Sequence, residues 1–186
     1  MELDKLYTRN TQSKFWDDNK ESYHLNCGSF ALGVESWYCP YLEDDDELED
    51  ELWQYSSTER RDWMEELVSD GHELVDIMED VIERDFEFIL KTCPWLEPIT
   101  REQISYEDRV IAYRLCIEIP NERDEFDCDE CTDFHFRVLI NGEWWEKNGG
   151  GPIHYVGDEI DEEPWEVDDW LVYSGPIKYA RFKEAV

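Results

Sequence analysis

The chain has 186 residues, 41% hydrophobic and 15% aromatic with nine Trp, enough apolar bulk for one packed core and against global disorder. Its 49 acids against 17 bases give a net charge of −32, a field that repels nucleic acid and anionic membranes, since binding phosphates takes Lys and Arg. No apolar run reaches spanning length and no basic-then-apolar leader opens the sequence, so a soluble, cytoplasmic protein with reduced thiols is expected, as a single domain over 1–186.

The first two dozen residues are polar, with Phe15 and Trp16 as anchors. "NCGSFALG" follows at 26–33. Asn26 suits a helix N-cap, and Phe30, Ala31 and Val34 recur at near-helical spacing, while Gly33 works against a long helix. "YLEDDDELEDELW" then reads as an exposed acidic loop turning into a helix start. From Ser57 to Thr92 the apolar residues Trp63, Leu67, Leu74, Ile77, Val81, Phe88 and Ile89 predict helix, with Glu66, Glu73, Asp80 and Glu83 on the other face. Gly71 splits or bends this stretch, and Pro94 ends it.

The second half is β-rich. "DRVIAYRLCIEIP" reads as a strand. "DFHFRVLINGEWWEK" reads as a hairpin turning at Asn141-Gly142, the pair favoured in two-residue loops. "DDWLVYSGPIKYARFKE" supplies two strands around Ser174-Gly175-Pro176. The fold class predicted is α+β, a helical part at about 24–92 packed on a mainly antiparallel sheet at about 106–184.

Cys27 would start a helix, where unpaired N–H groups and the helix dipole favour thiolate and offer an oxyanion site. His135 sits on the first hairpin strand, and a strand aims an imidazole rigidly as a general base. The two-residue loop pairs Arg137 with Glu146 and sets His135 opposite Asn148, so Glu146 or Asn148 would orient the ring. The competing reading of Cys27 is a buried thiol at a helix start. That of His135 is a sheet histidine bonded to a carboxylate such as Asp133. Cys93 and Cys116 read as buried hydrophobes.

An early Cys-bearing helix before a sheet with His and a polar residue resembles the papain-like and NlpC/P60-like cysteine peptidase superfamily. More narrowly, "NCGSFALG" and "DFHFRVLINGEWWEKNGG" resemble small phage and mobile-element proteins with "NCYAYAL" and "DYHFYR…DG.W.HK.G" segments. The likeness extends loosely to "YSGPIKYARF" and not to the acidic helices. It implies a papain-like core with Cys27 as nucleophile and His135 as base. Glu146 stands where that group often has a second His. The reaction implied is hydrolysis of an amide or peptide bond in a protein or peptide substrate, with no cofactor.

Two rival readings use the same chain. Cys128, Cys131 and His135 have the spacing of three zinc ligands. Alternatively the chain is a catalytically inactive, phage-type acidic protein in a host cytoplasm. It would mimic nucleic acid and block a basic nucleic-acid-binding partner, with no direct nucleic-acid or membrane contact of its own. The charge excess would otherwise serve solubility alone.

Overall fold

The computed structural model describes residues 25–41, 56–117, 132–149, 151–168 and 171–183. Among the described residues three α-helices precede eight strands: α1 (Cys27–Leu32), α2 (Ser57–Ser69) and α3 (Leu74–Thr92), then β1 (Leu96–Ile99), β2 (Val110–Ile117), β3 (Thr132–Ile140), β4 (Glu143–Lys147), β5 (Ile153–Gly157), β6 (Trp165–Asp168), β7 (Leu171–Tyr173) and β8 (Lys178–Phe182). The protein is α+β.

Local chemistry sets the helix ends. The Asn26 side chain accepts from the Ser29 N–H at 3.0 Å and opens α1, and Gly33, at φ 71°, closes it after six residues. Ser56 caps α2 through the Glu59 N–H at 3.2 Å. Gly71, at φ 80°, separates α2 from α3, so the long apolar pattern forms two helices.

Six strands form one sheet in the order β1-β8-β2-β3-β4-β5, every neighbour antiparallel; β6 and β7 pair with each other in a separate two-stranded sheet. The β3–β4 turn is Asn141-Gly142, both at positive φ, and its register pairs Arg137 with Glu146 as the loop length predicts. The sheet begins at Leu96, earlier than the expected start near 106. Strand β1 is an edge strand, and an edge tolerates Pro98, which pairs with Ala180. Strand β7 joins β6, whereas the sequence pattern suggested only that it was a strand near β8.

Alternation along β3 divides the interior in two. Phe136, Val138 and Ile140 pack with Phe30, Leu32, Met64, Ile77, Val81 and Ile89 beneath the helices. Leu139 packs on the opposite side with Trp144, Trp165 and Tyr173, under the β6–β7 hairpin. Cys93 and Cys116 are buried in these two layers, at 0% and 3% exposure.

Candidate functional site

Cys27 is the first residue of α1 and belongs to the core under the helices. α1 approaches the sheet closely because residue 28 is glycine. A Cβ there would lie 2.9 Å from Tyr38 Cδ1 and 3.3 Å from Phe136 Cε2. The Cys27 thiol donates to the Phe134 carbonyl at 3.8 Å. Burial pushes its pKa up to about 12, the nearby Asp133 charge adds to the rise, and the backbone groups of Phe136 and Gly28 only partly oppose it. The expected gain from the helix start is outweighed, since a thiolate needs either solvent or a paired cation.

His135 lies on the other face of β3. Its Nε2 is 3.2 Å from Glu146 Oε2, and because the ionised carboxylate only accepts, Nε2 carries the proton of this bond. Arg137 Nε donates to the same oxygen at 2.8 Å. Burial works to raise the Glu146 pKa, but the bonds and charges of His135 and Arg137 prevail and hold it at about 2. The His135 ring stacks at 5.1 Å on Tyr173 and meets Trp165 edge-on at 6.3 Å, while the Arg137 guanidinium lies 4.2 Å over Trp165. Tyr173 donates from its hydroxyl to Asp133 at 2.7 Å.

Of the four residues expected at a catalytic centre, two therefore meet. His135 and Glu146 are joined by a 3.2 Å contact. Asn148 donates to the Val167 carbonyl at 3.1 Å, and its Oδ1 is buried with no partner among the described residues. Cys27 belongs to the core under the helices, whereas the His135 ring packs on Tyr173 of the hairpin, and no hydrogen bond joins thiol and imidazole.

Two residues join the site that sequence reasoning passed over. Arg137 ion-pairs with Glu146, and the loop register already placed these two face to face. Lys147 is fully buried and donates to the Gly149 and Gly151 carbonyls at 2.6 and 2.7 Å, tying down the glycine-rich connection. Burial lowers its pKa.

Cys128 and Cys131 lie outside the described residues. Among the described residues no group of three or more His, Cys, Asp or Glu is placed to hold a metal ion, and the Nε2 of His135 is engaged by Glu146. No helix among them is long and apolar enough to cross a membrane. No protein-family model, characterised protein or solved structure matches this chain.

Proposed function

We propose that the chain is an acidic binding protein that engages a basic, nucleic-acid-binding partner and occupies the partner's cleft. One observation carries this reading: the outward faces of α2 and α3 expose Glu65, Glu66, Asp76, Glu79, Asp80 and Glu87. Carboxylates outnumber the bases on this surface: Arg60 is buried, Arg61 is half-buried, and Arg84 and Lys91 are exposed. Arg60 points inward to Asp85, and Arg84 lies 3.8 Å over the Trp63 ring. The helical layer thus offers a row of carboxylates on a chain of net charge −32. A phage-type protein acting against a host nuclease has this chemistry. The papain-like motifs then serve as framework: Cys27 fills core and His135 supports the hairpin.

The test is binding to a basic nuclease over a salt series. Tight binding that weakens steeply between about 50 and 200 mM salt and persists in Cys27→Ala is expected. Failure to bind any basic protein at low salt contradicts the reading.

A second reading, a cysteine hydrolase acting on an amide bond, is favoured by two details. Cys27 opens a capped helix, and His135 and Glu146 are joined by a 3.2 Å contact. This reading requires a rearrangement that brings thiol and imidazole within about 3 Å. Rapid turnover of an amide substrate, lost in both Cys27→Ala and His135→Ala, is its signature.

A further inference from the structure

A cleft of about 420 Å³ opens between the start of α3 and the segment joining β7 to β8. Its apolar lining is Met78, Ile177 and Pro176, with Val75, 64% exposed, on the helix side. Tyr179 also lines it. That residue is 7% exposed, and its hydroxyl is buried with no hydrogen-bond partner among the described residues. An unpartnered buried hydroxyl beside a cleft is a group that a ligand would satisfy.

The surrounding charges decide the ligand's sign. Arg114 has its donors turned onto the carbonyls of Gly175 (2.7 Å), Glu163 (2.7 Å), Glu162 (3.1 Å) and Ser174 (3.4 Å), which leaves it spent as an anion clamp. Arg101 is paired with Glu162. Glu79 in the lining has no ion pair among the described residues, and Asp76 and Asp80 are exposed beside it on α3. An anion would find the Glu79 carboxylate at the mouth and, as an open donor, only the Tyr179 hydroxyl. An apolar stem ending in a cation would find complementary groups at both ends.

We propose that this cleft receives a lysine side chain of the basic partner. Its methylene stem would lie against Met78, Val75 and Ile177, and its ammonium would donate to the Tyr179 hydroxyl and the Glu79 carboxylate. A compact head with three donors can serve a phenol and a carboxylate together. The inference rests on the acidic-binding reading and adds an anchor point to it.

The probe is a hexalysine peptide titrated at low salt into the full chain and into Glu79→Gln, Val75→Trp and Tyr179→Phe. Glu87→Gln, on the same helix outside the cleft lining, is the control. Positions 75 and 79 are exposed, so these variants keep the fold. Glu79→Gln and Val75→Trp should weaken binding by about tenfold, Tyr179→Phe by about threefold and Glu87→Gln by less than about twofold. The Met78 methyl resonance should shift on saturation. Binding that all four variants weaken alike, with Met78 unmoved, overturns the cleft and leaves the acidic surface standing. No binding of hexalysine to the unaltered chain overturns both.

Discussion

The Glu146 carboxylate lies 3.2 Å from the His135 ring on the sheet face that the β6–β7 hairpin covers, away from the Cys27 thiol. The pair has the form of an orienting carboxylate and its histidine, yet the thiol such a pair would activate is sunk in the opposite layer. Arg137 completes a buried charged cluster, and breaking one member of such a cluster costs more than making it contributes.

Glu146→Gln should therefore destabilise the protein by about 2–4 kcal/mol at neutral pH. The pH dependence has a definite sign. The folded carboxyl titrates at about 2, below its ordinary value of 4.5, so its contribution is present above about pH 4.5 and is lost as pH falls towards 2. That loss is on the order of 3 kcal/mol. Urea unfolding at a series of pH values measures it. Glu146→Gln should show a shallower acid slope than the unaltered chain; identical slopes would contradict the assignment.

Asp85 ties the helices to the sheet. Fully buried, it takes Arg60 through two bonds, at 3.0 and 2.9 Å, and the Tyr113 hydroxyl at 2.5 Å. Asp85→Asn removes the carboxylate charge that meets the buried Arg60 guanidinium, and should cost about 3–5 kcal/mol. Arg61→Gln, which breaks a 3.7 Å pair with exposed Asp62, should cost less than about 0.5 kcal/mol. Thermal unfolding of the two variants side by side checks the contrast.

Gly28→Ala should destabilise by about 1–3 kcal/mol, because the added methyl runs into Tyr38 and Phe136 and pushes α1 off β3. The same substitution at Gly71, at φ 80° with nothing within 4 Å of a Cβ, carries only the backbone penalty of about 1–2 kcal/mol. Denaturant midpoints distinguish the two. A tryptophan emission change is expected only for Gly28→Ala.

Much of the fold was legible because its signals are local. Asn26 and Gly33 bound α1, Gly71 divides the helices, and Asn141-Gly142 fixes the hairpin register down to the Arg137–Glu146 pair. β1 was hidden by Pro98, which disqualifies a central strand and suits an edge. β5 and β6 are short, and their partners are set by tertiary pairing that no local pattern carries.

No hydrogen bond joins Cys27 and His135, and the alternation of β3 accounts for it. In "DFHFRVLI" the residues Phe134, Phe136 and Val138 alternate with His135 and Arg137. A strand with period 2 sends these two sets to opposite faces. An apolar helix such as α1 covers the Phe face, and the histidine is then turned away from it. Burial of Cys27 was not readable at all, since "NCG" fits an open cleft and a closed core equally.

The most direct measurement is the alkylation rate of Cys27 by iodoacetamide at pH 7.5, followed by mass spectrometry in the unaltered chain and in His135→Ala. A thiol held near pKa 12 with no hydrogen bond to the imidazole should react at least about 100-fold more slowly than an open cysteine, at a rate His135→Ala does not lower. Fast labelling of Cys27 that disappears in His135→Ala would contradict this and restore the hydrolase.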